Sequence, residues 1–429
     1  MKVLIIGSGG REHALVWAIQ KNRNNLVQLY CAPGNAGIAA SAELVPISVS
    51  DHPGLIRFVL EQRIDLTFVG PEAPLAAGIV DAFEAQGLAI VGPSAAAAQL
   101  EASKVFAKDF MARNNVPTAA YRVADTASEA IECLKSGEFG SSASPVVVKA
   151  DGLAAGKGVV VASSHAEAER AIEDLMVNQL VGAEAAARVV LEEALSGTEV
   201  SLLLIADGKD YVLMPAARDH KRVGENDTGP NTGGMGSITD ASILGFADLD
   251  RVVEQIVEPT LAGSAREGFA FKGVLFLGLM LTDDGPKLLE YNVRFGDPEA
   301  QAILIRLQTD LVTILDAVRR GSLGSLKVEW AGGSSACVVA ANRGYPGKHD
   351  SGAVIQGLDD GKLKTVQIFH SGTSISPQGE ILATGGRVLG VTSAAPTLSG
   401  ALGNCYVALE QIHWPGMQFR RDIGRTRPN

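Results

Sequence analysis

The chain has 429 residues, too many for one compact core, and its length suggests about two to four domains. With 46% hydrophobic and 20% charged residues, disorder is excluded, and 48 glycines are too many for a chain built only of simple helices and strands. Against 37 Lys and Arg stand 48 Asp and Glu, a net charge of −11 that repels nucleic acid and anionic membranes and leaves phosphate recognition to local pockets.

Residues 3–6, 26–31, 66–70 and 88–91 are short apolar runs, and residues 11–20 read as a helix between the first two. This alternation predicts an open, mostly parallel α/β sheet. The first run follows Met1-Lys2 directly, which leaves no room for a secretory leader. Cys31, Cys133, Cys337 and Cys405 form no CxxC pair, so neither a zinc site nor a disulfide framework is expected, and a reducing, cytoplasmic setting fits. Residues 104–113 predict a helix closed by Asn114-Asn115-Val116-Pro117, with a domain boundary nearby. Runs at 146–149 and 159–161, joined by a glycine-rich connection, predict a hairpin with a mobile tip. Strands follow at 189–192 and 200–205, then a long polar loop at 218–236, a helix at 249–266 and strands at 274–281 and 287–293. A glycine-rich β pattern (337–340, 367–369, 387–391) forms a tail domain, and all apolar runs fall far short of the roughly 18 residues of a membrane span. The domains expected are 1–102, 103–325 with a lid at about 121–190, and 330–429.

Three constellations carry chemistry. The turn Gly7-Ser8-Gly9-Gly10-Arg11-Glu12-His13 leads from a strand into a helix, where glycines admit an anion to backbone N–H groups. Glu12 stands at the third glycine of a dinucleotide fingerprint, which argues against nicotinamide; a plain tight turn remains the alternative. Gly70-Pro71-Glu72 opens on the same sheet edge, where Glu72 can accept sugar hydroxyls or serve as a solvated turn acid. The second constellation, Lys149-Ala-Asp-Gly152-Leu-Ala-Ala-Gly156-Lys157-Gly158, is no Walker loop but suits a flexible lid over a triphosphate. In the third, strand alternation puts Glu290, Asn292 and Arg294 on one face and Leu289, Tyr291 and Val293 in the core. Oxygen ligands at that spacing suit magnesium, and Arg294 can stabilise a transferring phosphoryl group. Glu192, Glu193, Leu195 and Glu199 could present an adenine and a ribose, although acids at a strand end are commonly just solvated.

Taken in order, these motifs, with Asp219-His-Lys-Arg222, Thr228-Gly-Pro-Asn-Thr-Gly-Gly-Met-Gly236 and Asn292-Val-Arg-Phe-Gly-Asp-Pro-Glu299, resemble the phosphoribosylamine glycine ligase (glycinamide ribonucleotide synthetase) family of ATP-grasp enzymes over essentially the whole chain. The resemblance implies an α/β multidomain fold: an amino-terminal parallel sheet, an ATP-grasp core of two α+β subdomains and a β-rich carboxy-terminal domain. It implies ligation of glycine to 5-phosphoribosylamine through glycyl phosphate, with ATP as substrate and Mg2+ or Mn2+ as cofactor, in a cytoplasmic monomer of purine synthesis that binds neither nucleic acid nor membrane. It also implies ATP contacts at Lys108, Lys149, Gly152, Gly156, Lys157, Glu192, Glu193, Leu195 and Glu199, and metal ligands at Glu290 and Asn292. Substrate contacts fall on Gly9, Gly10, Arg11, Glu12, Asn35, Pro71 and Glu72, with Asp219 and Arg294 in the glycine and phosphoryl region and Lys157 beside them as a catalytic residue. The sequence departs from its relatives at Ser8, where many carry Asn, and residues 276–280 offer no second metal-binding acid. Another ATP-grasp carboxylate–amine ligase of purine metabolism is the alternative enzyme, and a nucleotide-binding regulator without turnover the alternative class.

Overall fold

The computed structural model describes residues 1–21, 27–154, 158–358 and 361–425. Val3, Leu4, Ile5 and Ile6 are fully buried, so strand Lys2–Gly7 lies mid-sheet with both faces covered, and its apolar run shows no alternation for that reason. It belongs to a parallel sheet in the order Glu43–Leu44, Gln28–Pro33, Lys2–Gly7, Leu66–Val69, Ile90–Val91. The chain winds first to one side of Lys2–Gly7 and then to the other. The carboxyl ends of Lys2–Gly7 and Leu66–Val69 therefore flank a crevice where the strand order reverses, and helix Gly10–Lys21 starts there.

The second body is antiparallel. Strands Gly285–Asn292, Lys272–Thr282, Thr198–Asp207, Ala217–Asp219, Gly236–Thr239, Ser334–Asn342, Arg387–Ala395 and Gln367–His370 follow one another in a ten-stranded sheet, with Tyr211–Leu213 and Met417–Gln418 pairing off that path. The carboxy-terminal strands continue the central sheet: Ser334–Asn342 is buried along its length and pairs with Gly236–Thr239. The stretch 218–236, expected as a long loop, supplies the ends of two of these strands and folds a hairpin, Arg222–Gly224 on Thr228–Asn231. Its glycine, asparagine and aspartate content hides strands only three or four residues long. The helix expected at 249–266 runs as Phe246–Val252, a π-type turn at Val253–Val257, and Glu258–Arg266. Pro259 has no N–H to give the preceding turn, and the wider turn accommodates it.

A separate four-stranded antiparallel sheet, Tyr121–Ala124, Val189–Glu193, Val146–Ala150, Val159–Ala162, carries helices Ala127–Lys135 and His165–Ile172. Val146, Val148, Ile172, Leu175 and Leu191 close a core of its own, distinct from those of the main body, so it can shift as a unit. Among the described residues no helix is long and apolar enough to cross a membrane.

The amino- and carboxy-terminal units meet through buried imidazoles. His13 Nδ1 accepts the N–H of His370 at 2.8 Å, and the Asn35 amide donates to the carbonyls of Ser8 and His370, both at 2.8 Å. Burial, and second the neighbouring His370, lowers the His13 pKa to about 3, while burial lowers that of His370 to about 4. His220, set between the Gly236 carbonyl and the Gly424 N–H, is lowered to about 4 by burial first and Arg420 second. An unfolded histidine titrates near pH 6.5, so below that pH the unfolded chain takes up protons that the native state refuses. The stability these histidines contribute is complete above about pH 6.5 and is lost progressively toward the folded values. The melting temperature should therefore fall between pH 7.5 and 5.5, and His220→Gln should make that fall shallower; equal slopes in both proteins would contradict the assignment.

Candidate active site

Strand Gly285–Asn292 bulges opposite Gly278, where the register steps from Gly278↔Glu290 to Leu279↔Leu288 and leaves Leu289 as the extra residue. The predicted alternation fails at this point: Leu288 is fully buried, whereas Leu289 lines the cleft with Glu290. Tyr291 and Val293 are core residues as expected. Glu290 lines the cleft and Arg294 Nη2 donates to Asn292 Oδ1 at 3.3 Å, so the bulge keeps acid, amide and guanidinium together.

Arg294 is gripped by acids from two distant segments. Its Nε lies 3.2 Å from Glu72, at the start of helix Glu72–Ala76, and its Nη2 lies 2.9 Å from Glu101, near the end of helix Ala95–Ala102. The other Glu101 oxygen accepts the Val293 N–H at 2.7 Å. Burial opposes charge on Arg294, but Glu101 and Glu72 outweigh it and raise its pKa. Glu72 is held below the usual carboxylate range against burial, by Arg294 and then Arg11, whereas burial pushes Glu101 up despite Arg294.

The lysines meet under the smaller sheet. Glu192, 1% exposed, stands between Lys108 Nζ at 3.0 Å and Lys149 Nζ at 2.9 Å, the second an ion pair outside hydrogen-bonding geometry. Lys149 also donates to the carbonyl of bulged Leu289 at 3.1 Å, tying the lid to the metal-candidate strand. Burial lowers the Lys108 pKa to about 8, Lys149 adding to the drop and Glu192 opposing it. Gly152 packs against Ala185, donating to its carbonyl at 2.9 Å, and is therefore used in closing the lid backbone. Gly156 and Lys157 lie outside the described residues. Glu193 is exposed, Leu195 is half-buried in the return to the main sheet, and Glu199 pairs with Lys221 at 3.1 Å across the cleft.

At the parallel-sheet crevice, Glu12 Oε2 accepts the Gly9 N–H at 2.5 Å and Oε1 pairs with Arg11 Nε at 2.6 Å. Gly7 and Gly70 lie so close to the Glu12 side chain that a Cβ on either would strike it, which explains both glycines at the two strand ends. Glu12 and Asn35 are thus spent on shaping the turn, with Gly9, Gly10, Pro71 and Glu72 around the opening. Arg11 reaches over to the Phe295 carbonyl at 2.9 Å.

Asp219 accepts the N–H of His220 at 2.7 Å, and any side chain at Gly234 would strike it. Burial first and Glu299 second raise its pKa. Arg387, from the carboxy-terminal strand Arg387–Ala395, donates to the carbonyls of Gly233 and Asp297, both at 2.5 Å, and faces the Asp297 carboxylate at 3.5 Å. The sequence reasoning did not single out Glu101, Arg387 or Glu299 as site residues. Glu299 ends the motif that begins at Asn292, but nothing local marks an acid in an alanine-rich helix or an arginine at a distant strand.

A buried lysine on the lid joined by a second from the adjoining helix, beside a strand that brings an acid, an amide and an arginine together, defines the ATP-grasp class of ligases. Family models described as Phosphoribosylglycinamide synthetase N domain, ATP-grasp (A) domain and C domain match residues 1–101, 102–300 and 335–426. The chain belongs to the phosphoribosylglycinamide synthetase family. Proteins named phosphoribosylamine–glycine ligase from Mesorhizobium japonicum and Brucella melitensis are each 48% identical to it, over 99% of this chain and 98% and 97% of theirs. A crystal structure of phosphoribosylamine–glycine ligase from Thermotoga maritima has a TM-score of 0.84 at 34% identity, covering 98% of this chain and 100% of that one. The biotin carboxylase domain of Hydrogenobacter thermophilus 2-oxoglutarate carboxylase, solved with MgADP and bicarbonate, shares the fold at a TM-score of 0.71 and 15% identity, covering 97% and 91%.

Glu101→Ala would leave the Val293 N–H and part of the Arg294 charge unmatched, lowering stability by about 3 kcal/mol in denaturant unfolding. Glu101→Gln keeps an acceptor for Val293 but loses the charge. Its turnover should drop at least tenfold with the KM for ATP within twofold of wild type, as steady-state kinetics would show.

Proposed function

We propose that the chain ligates glycine to 5-phosphoribosylamine, converting ATP to ADP and phosphate and giving glycinamide ribonucleotide for purine synthesis. The observation that carries this is the Lys149 hydrogen bond to the Leu289 carbonyl, which sets the Lys108–Glu192–Lys149 cluster beside the strand that carries Glu290 and Asn292 and leads into Arg294. A carboxylate is a poor acylating agent, so a glycine oxygen first attacks the γ-phosphorus, the bond to ADP breaks and glycyl phosphate forms. The amine of phosphoribosylamine then attacks the acyl carbon, phosphate departs and the nitrogen releases a proton. Both steps gather negative charge on phosphoryl oxygens.

Two lysines against one glutamate leave a net positive charge beneath the lid, which suits ATP phosphates, and Leu195 and Glu199 follow on the chain toward the nucleoside. Lys157, Gly152 and Gly156 complete the lid in this assignment, with Glu193 beside Glu192. Arg294 is fixed in place and faces the transferring group, with Asp219 near the acyl end. The crevice turn, Gly9, Gly10, Arg11 and Glu12 with Asn35, Pro71 and Glu72, receives the phosphoribosylamine, its backbone N–H groups meeting the phosphate. Closing the lid excludes water from the labile acyl phosphate.

Glu290 and Asn292 suit a divalent cation by the chemistry of their donors: a carboxylate that lines the cleft and, two residues on, an amide oxygen that Arg294 Nη2 approaches at 3.3 Å. A hard cation held by two protein oxygens completes its shell with phosphate oxygens and water, as Mg2+ or Mn2+ does. When bound, it neutralises phosphoryl charge. In this reading the enzyme works as a monomer in the cytoplasm, where ATP and both small-molecule substrates meet.

ADP release should require glycine and freshly generated phosphoribosylamine together, with glycinamide ribonucleotide formed in equal amount; release with another acid and amine pair would move the assignment to a related carboxylate–amine ligase. Glu290→Ala removes a cleft ligand and no core volume, so turnover should fall at least a hundredfold with the melting temperature retained. Lys108 is a cation below about pH 8 and loses its charge above it. The KM for ATP should therefore rise several-fold between pH 7 and 9, and Lys108→Arg should abolish that rise.

A further inference from the structure

Thr118 lies where the chain leaves helix Lys104–Arg113 for the lid, half-buried between that helix and strand Gly285–Asn292. Its hydroxyl donates to the Leu288 carbonyl at 2.6 Å, and Lys108 Nζ donates to the hydroxyl oxygen at 2.7 Å. The direction of both bonds is fixed. A carbonyl can only accept and an ammonium can only donate, so the one Thr118 proton goes to Leu288 and its lone pairs are left for Lys108. The backbone is anchored separately: Thr118 bridges to Leu288, whose N–H donates to the Pro117 carbonyl at 2.8 Å.

The two residues at the strand bulge each serve a different lysine. Leu289 accepts from Lys149 directly at 3.1 Å, and Leu288 reaches Lys108 through the Thr118 hydroxyl. Glu192 pairs with both ammonium groups, but it belongs to lid strand Val189–Glu193 and travels with the lid. Lys108 does not: Ala107, Phe110 and Met111 root its helix in the core of the main body. The Thr118 oxygen is therefore the partner that ties Lys108 to the main-body strand, and among the described residues it accepts from Lys108 alone. Glu192 and Thr118 together take two of the three ammonium protons, which leaves one for an incoming anion.

We propose that Thr118 is a positioning residue whose hydroxyl holds the Lys108 ammonium in register with strand Gly285–Asn292, ready for an ATP phosphate oxygen as the lid opens and closes. This rests on the ligase reading given above, which sets Lys108 on ATP. Thr118 acts on the nucleotide through Lys108 and needs only its oxygen to do so. The hinge itself is held by the backbone bridge to Leu288, which any residue at this position can make.

The test is calorimetric binding of magnesium ATP to the full chain with no other substrate present. Thr118→Val keeps the shape and loses the oxygen, so the Kd for ATP should rise at least fivefold, whereas Thr118→Ser should stay within twofold of wild type. In steady-state kinetics the KM for ATP should follow the Kd, with the KM values for glycine and phosphoribosylamine within twofold of wild type. Lys108→Met should raise the ATP Kd by itself, and adding Thr118→Val to it should move the Kd by less than twofold, because the hydroxyl works through that ammonium. A folded Thr118→Val protein with unchanged ATP affinity, or one whose full loss persists in the Lys108→Met background, would overturn the proposal. Should the valine variant fail to fold, Thr118→Ala removes the same oxygen without adding bulk and is read by the same criteria. Wild-type protein that releases no ADP with glycine and phosphoribosylamine would instead refute the ligase reading itself, so the two failures are told apart.

Discussion

The architecture turns on one half-buried guanidinium. Arg294 needs carboxylates to hold its charge largely out of water, and it draws them from two distant segments, Glu72 at the parallel-sheet crevice and Glu101 near the end of helix Ala95–Ala102. Because Glu101 also takes the Val293 N–H, the same acid fixes the backbone and the side chain of the site strand. Satisfying that cation ties the amino-terminal sheet to the antiparallel body beside the site strand.

A second balance of charge governs the lid. Glu192 sits between two lysines from different elements, helix Lys104–Arg113 and strand Val146–Ala150, which leaves an excess positive charge in a place with almost no solvent. Burial first, with Lys149 adding to it against Glu192, lowers the Lys108 pKa, and the excess charge prepares the site for an anion. Lys149 reaches the Leu289 carbonyl only because the strand bulges there. The position of the lid and the register of the candidate metal strand are therefore one geometric fact.

The carboxy-terminal unit is part of the site through its sheet and through Arg387. Strand Ser334–Asn342 extends the central sheet, so Arg387–Ala395 beside it is carried in rigidly and its first residue clasps the Gly233–Gly234 turn and Asp297. Neutral, buried His13 and His370 and the Asn35 amide hold the other edge of this unit against the first strand turn. The closing of the site from this side depends on backbone hydrogen bonds accepted by groups that must stay uncharged.

The sequence by itself determined the parallel α/β start, the Lys104–Arg113 helix, the hairpin strands of the lid and the juxtaposition of Glu290, Asn292 and Arg294, because periodicity and turn residues are local signals. It also determined the family, through motifs whose order is a property of the chain alone. It missed the strands inside 218–236, where short, glycine-rich segments have no period, and it put Leu289 in the core, because a bulge is set by the partner strand. Only the tertiary structure decided that Glu12 and Asn35 shape the turn and that Glu101 and Arg387 belong to the site. The reason is that charge compensation and close packing join residues up to 357 positions apart, as between His13 and His370, and no local pattern encodes a partner at that distance.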